Sequence, residues 1–184
     1  MSRTREDRSI EFSREKEELA SKFVKRSTQV ASLEGPDFSR VLNTSLYAQV
    51  VQEFKRIGVP KRHIRGGDEL FPRVRYNVSF FEISSPVLGD ECVSFLWNEE
   101  SIFPGWNGLL ALQYAVGNIF PTDAWVVAPQ PSIFPLVGED GTHRMFALKR
   151  SKDGKCCLWV MKRDTGWLHP SMCVLHVVRH NERR

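Results

Sequence analysis

At 184 residues the chain fits one domain with room for a hydrophobic core, and its 41% apolar and 26% charged composition is that of a folded protein, not a disordered or fibrous one. The formal charge of +4 hides a segregation: no Lys or Arg stands between Tyr76 and Thr142, where eight acids fall, whereas residues 55–75 carry seven Lys/Arg against two acids and residues 143–184 carry ten against three. No membrane span is expected, because the best apolar stretch, 109–120, is short and interrupted by Gln113, Gly117 and Asn118.

Residues 10–33 carry a narrow stripe (Leu19, Ala20, Phe23, Val24, Val30, Ala31) that predicts a charged, peripheral helix. Gly35-Pro36 breaks it, so residues 1–35 read as a helical arm and 36–184 as a single α+β domain. A second helix is predicted over 38–57 from Phe38, Leu42, Leu46, Val50, Phe54 and Ile57, with Asp37 or Ser39 as cap and Gly58 and Pro60 as stop. Residues 60–72 read as a loop. Val74, Tyr76, Val78 and Phe80 then alternate with polar residues as a half-buried strand, and the slip at Phe80-Phe81 suggests a bulge. Residues 92–97, apolar on both faces, read as a central strand, and 109–119 as a buried helix.

Beyond a short strand at 125–128, the last third reads as an antiparallel meander. A hairpin spans 144–150 and 156–163 around Ser151-Lys152-Asp153-Gly154, and a final strand covers 172–180. The fold class expected is α+β: two N-terminal helices on a mostly antiparallel sheet of five to seven strands, with one buried helix inserted.

The basic blocks carry the first functional expectation. Lys61, Arg62, His63 and Arg65 share a loop with Gly66-Gly67, and the hairpin bears Arg144, Lys149, Arg150, Lys152, Lys155, Lys162 and Arg163. A surface uniting Lys61, Arg62, Arg65, Arg144, Lys149, Arg150, Lys152 and Lys155 suits a phosphate backbone or an acidic protein. The expected function is therefore non-enzymatic binding or regulation of nucleic acid or an acidic protein partner. The acidic centre could also meet the basic hairpin of a second copy, giving a homo-oligomer or a self-assembling structural protein.

Catalytic signals are sparse. Cys173, His176 and His180 have the spacing of metal ligands, but on a strand Cys173 and His176 face opposite sides, so no metal or other cofactor is expected. Cys92, Cys156, Cys157 and Cys173 read as reduced structural thiols. With an N-terminus charged from Arg3 to Glu18 and no secretory signal, they point to a cytoplasmic protein.

One string, Asp140-Gly141-Thr142-His143-Arg144, resembles the Asp-Gly-x-His-Arg turn-to-helix segment of the ParB/sulfiredoxin-like superfamily. That resemblance implies a helix opening after residue 143 and a nucleotide or phosphate site at Asp140, Gly141, His143 and Arg144. The alternative function it implies is a small nucleotide- or phosphoester-processing enzyme, with His143 as acid–base and Arg144 as phosphate clamp.

Overall fold

The computed structural model describes residues 5–33, 42, 44–59, 70–130 and 136–181, with side chains from residue 13 onward. In chain order the elements are α1 (Arg5–Ser21), β1 (Phe23–Ser32), α2 (Ser45–Arg56), β2 (Arg75–Ile83), β3 (Val87–Leu88), α3 (Gly89–Asn98), α4 (Gly105–Val116), a 3-10 turn (Gly117–Ile119), β4 (Trp125–Ala128), β5 (Leu136–Val137), β6 (His143–Arg150), β7 (Cys156–Lys162), β8 (Trp167–Leu168) and β9 (Cys173–Arg179). Seven strands form one sheet in the order β1-β2-β9-β4-β6, with β5 continuing the β4 side of β6 and β7 lying on its other side. Every pairing in it between named strands is antiparallel except β4 with β9. Strands β3 and β8 form a separate two-stranded ribbon. The class is α+β.

Each face of the sheet has its own core, because alternate residues of a strand point to opposite sides. On one face Tyr76, Val78, Phe80, Val126, Phe146, Leu148, Leu175 and Val177 pack with Leu46, Val50 and Phe54 of α2 and Leu109, Leu110 and Leu112 of α4. On the other, Phe81, Ile83, Val127, Met145, Ala147 and Val174 pack under Cys92, Phe95 and Leu96 of α3. Burial of each large apolar side chain contributes about 1.5–3 kcal/mol. The nearly continuous burial of α4 from Gly105 to Leu112 follows from an almost wholly apolar sequence.

Several sequence expectations are corrected here. The helix predicted over 10–33 stops at Ser21, and Phe23–Ser32 is the edge strand β1. The stripe Phe23, Val24, Val30, Ala31 fits both periods, and the β-branched Val24, Thr28 and Val30 suit a strand paired with β2. Residues 92–97 belong to a helix, not a central strand. A short run apolar all round does not distinguish the two by period; at the helix start Glu91 accepts the Leu88 amide at 2.8 Å, which supports the first turn.

β2 pairs continuously with β9 through Phe80-Phe81, and the expected bulge lies directly opposite on β1, where Lys25 faces Phe81 and Ser27 faces Phe80. The two rings enter opposite cores. Helix α2 begins at Ser45, capped by Thr44, whose hydroxyl accepts from Tyr47 N at 3.2 Å. The proposed caps Asp37 and Ser39 lie outside the described residues. Finally, β9 does not continue a meander but inserts between β2 and β4.

The β7 edge is sealed by α2. Gln49 Oε1 accepts from the Leu158 amide at 2.8 Å, Gln49 Nε2 donates to the Cys156 carbonyl at 3.5 Å, and Arg56 Nη2 donates to the Val160 carbonyl at 3.4 Å. Side chains here take the place of a further strand, which β7 lacks among the described residues. Among the described residues no helix is long and apolar enough to cross a membrane.

Candidate nucleic-acid interface

The charge segregation of the sequence is largely undone by folding. Five of the eight acids between Tyr76 and Thr142 meet cations from outside that stretch: Glu82 with Arg26 and Glu91 with Lys22, each at 2.7 Å, Asp90 with Arg163 at 2.7 Å, Asp140 with Arg144 at 2.6 Å, and Asp123 with Lys152 at 3.7 Å.

These pairs divide the basic hairpin into two ends, separated by roughly 20 Å along β6 at about 3.4 Å per residue. At one end Arg144 and Arg163 are buried. Arg163 donates from Nη1 to the Gln130 carbonyl at 2.8 Å and pairs with Asp90 at the start of α3. Arg144 closes the β5–β6 turn. There Asp140 accepts from the Thr142 hydroxyl at 2.7 Å, from the Thr142 amide at 3.1 Å and from Arg144. The Thr142 hydrogen bonds, backed by Arg144, hold the Asp140 carboxyl down at about 2.

At the other end, the hairpin tip, the cations are less enclosed. Lys152 and Lys155 are exposed, and their partners Asp123 and Asp153 are also substantially exposed, so these pairs are weak and readily exchanged. Lys149 and Arg150 are half-buried and form no ion pair among the described residues. The tip is built by its turn: Gly154 holds φ +81, a conformation costly for side-chain-bearing residues, and the Ser151 hydroxyl donates to the Lys155 carbonyl at 2.9 Å.

Adjacent β6 residues point to opposite faces. Arg150 and Lys155 therefore border a cleft of about 750 Å³ with Thr44 and Ser45 at the start of α2 and Gln113, Tyr114 and Asn118 near the end of α4. Lys149 points to the other face, paired across the sheet with Trp125 on one side and Cys157 on the other. Trp159 lies opposite Ala147 on that face, and its ring centroid is 5.8 Å from that of Trp125.

Of the eight residues predicted to bind, Lys149, Arg150, Lys152 and Lys155 lie at the tip end of the hairpin, Lys149 and Arg150 on opposite faces of β6, and Arg144 sits at the far end, engaged by Asp140. Lys61, Arg62 and Arg65 lie outside the described residues. The alternative set Asp140, His143 and Arg144 is divided between faces: Asp140 bonds Arg144, whereas His143 turns the other way, its Nδ1 3.4 Å from Asp164 Oδ2. The helix implied by the ParB/sulfiredoxin-like string is instead strand β6, paired with β4, β5 and β7.

The Cys173/His176/His180 spacing forms no ligand set. Cys173 packs in the α2/α4 core, while His176 lies against Phe81 on the α3 side. His176 Nε2 contacts the Glu99 carbonyl at 3.2 Å, and burial lowers its pKa. His180 Nδ1 contacts Asn77 Oδ1 at 2.9 Å. Among the described residues no three His, Cys, Asp or Glu side chains are grouped to hold a metal.

Trp125 and Trp159 form an aromatic pair beside the tip that the sequence pattern did not single out. Their signal was there: Trp159 falls on the exposed phase of β7, with Cys157, out of step with buried Leu158 and Val160. No family model, no curated protein and no solved structure matches the chain.

Proposed function

We propose that this chain is a nucleic-acid-binding protein that works by recognition, without catalysis of its own, through the cations at the tip of the β6–β7 hairpin. The observation that carries this reading is the placement of four cations at the tip end of the hairpin: Lys152 and Lys155 exposed on the turn, and Lys149 and Arg150 at the end of β6, half-buried on opposite faces and free of ion pairs among the described residues. Weakly paired, exposed cations are available to phosphates, and their binding releases condensed counterions. Arg144 and Arg163, each held by a carboxylate, have a structural role in this reading. Lys61, Arg62 and Arg65, outside the described residues, carry no part of it.

The test is fluorescence anisotropy with labelled 20-nucleotide single strands and duplexes between 50 and 200 mM salt. Four phosphate contacts give a log–log salt slope of about −3 on single strands and about −3.6 on duplexes. Each Lys or Arg replaced by Ala among Lys149, Arg150, Lys152 and Lys155 should lower the slope by about 0.7–1. Two results would overturn the proposal. One is an absence of binding at 50 mM salt. The other is tighter capture of an acidic polypeptide such as poly-glutamate than of either oligonucleotide, which would make the partner an acidic protein.

A further inference from the structure

Resting on the nucleic-acid reading, we infer that the ligand is single-stranded and that unpaired bases stack on Trp159, with Trp125 as the wall beside it. Trp159 is 44% exposed on the sheet face that carries Lys149. An indole left this open on a strand contributes little to the core and offers a flat π-surface.

Its placement is specific. Trp125 packs against the α3-side core and is thereby anchored. The two indoles meet across β6 with ring planes at 54°. Beneath them the β6 residues are Ala147, opposite Trp159, and Lys149, opposite Trp125. Ala147 is a small, buried floor beneath the two rings, and Lys149 brings a cation to their border. Lys152 lies on the turn just beyond β6, and the nearby carboxylate, Asp123, is the one it contacts.

An exposed indole bordered by a cation, at the margin of the α3-side core, matches the chemistry of single-strand recognition: phosphates track the cations and bases stack on the ring. A duplex cannot use this surface fully, because its bases are already stacked on each other and present edges to a groove. An uncharged apolar partner would leave Lys149 without a function at the site. The charge at the platform therefore selects a nucleic acid strand over an apolar protein face.

The test compares an oligo-dT 12-mer with a duplex of equal length at 150 mM salt, for wild type, Trp159→Ala, Trp159→Phe and Trp125→Phe. Wild type should prefer the single strand by about tenfold or more, each stacked base accounting for a roughly 5- to 150-fold change in affinity. Trp159→Ala should lose at least fivefold in single-strand affinity with the salt slope unchanged, and Trp159→Phe should recover most of it. Trp125→Phe keeps a ring in the core contact, so it guards against a loss caused by unfolding.

Equal binding of duplex and single strand, with Trp159→Ala unaffected while loss of the tip cations weakens both, would overturn the stacking inference and leave the nucleic-acid reading standing. Failure of wild type to bind either would overturn both.

Discussion

Replacing Gly89 with alanine sets helix propensity against packing at a single position. Gly89 opens α3, and propensity alone favours alanine in a helix by up to about 1 kcal/mol. The surroundings oppose it. A Cβ on Gly89 would lie 2.7 Å from the Arg163 carbonyl oxygen, 2.8 Å from its Cγ and 2.9 Å from its Cα. Two of those atoms are main chain at the end of β7 and cannot rotate away. Relief requires the start of α3 to lift, which draws Asp90 away from Arg163 Nε, now at 2.7 Å, on a side chain only 4% exposed.

Overpacking of this kind costs about 1–3 kcal/mol. Weakening the pair adds to that, although water can replace part of what the exposed Asp90 carboxylate supplies. Against the propensity gain, the net expectation is a loss of about 1–2 kcal/mol. Urea denaturation followed by tryptophan fluorescence and circular dichroism reads this as a lower midpoint, and thermal melting as a fall of about 2–8 °C. Gly117→Ala is the control: its Cβ would approach only the Gln113 side-chain amide, nearest at 3.2 Å to the nitrogen, the end of a flexible side chain, and its φ of −57° is ordinary helical geometry. That variant should be unchanged or up to about 1 kcal/mol more stable. A Gly89→Ala midpoint equal to or above wild type would refute the close-approach argument.

Removing the side chain of Gln49 should expose the β7 edge. Gln49→Ala leaves the Leu158 amide without its 2.8 Å acceptor, so a loss of about 1–3 kcal/mol and faster aggregation by light scattering are expected; unchanged stability would count against α2 as the seal. Asp140 governs an acid-side effect. Its carboxyl is held at about 2, below its unfolded value near 4, so the turn interactions are complete above about pH 4 and are lost as pH falls through about 2. Asp140→Asn should therefore flatten the decline of stability between about pH 4 and 2, measured by urea midpoints, and an acid limb identical to wild type would contradict this. Thiol labelling under native conditions should modify exposed Cys157 first. Cys92 and Cys173 are buried, with both thiols shifted upward by desolvation and Cys173 to about 11, so they should react only on unfolding; rapid labelling of either would show that the core opens locally.

Much of the architecture was legible because its cause is local. The 3.6-residue period of Leu46, Val50 and Phe54 specifies α2, and the apolar run through Leu112 specifies α4. The Asp153-Gly154 turn specifies the β6–β7 hairpin. Residues 23–32 and 92–97 were misread because short apolar stretches satisfy two periods, and only the partner, β2 for one and the α3-side core for the other, selects between them.

By itself the sequence determined the fold class, the buried helix, the hairpin and the presence of cations at its turn, since periodicity, turn chemistry and composition act within a few residues. Tertiary structure alone decided which cations remain available. Arg163 and Lys152 belong to the same basic stretch of sequence, yet one is enclosed by Asp90 and the Gln130 carbonyl, both distant along the chain, and the other reaches solvent at the tip. It also set Trp125 beside Trp159, because strands distant along the chain become neighbours only through the register of β4, β6 and β7. Charge pairing and cross-strand contact depend on distances through space, which no local pattern encodes.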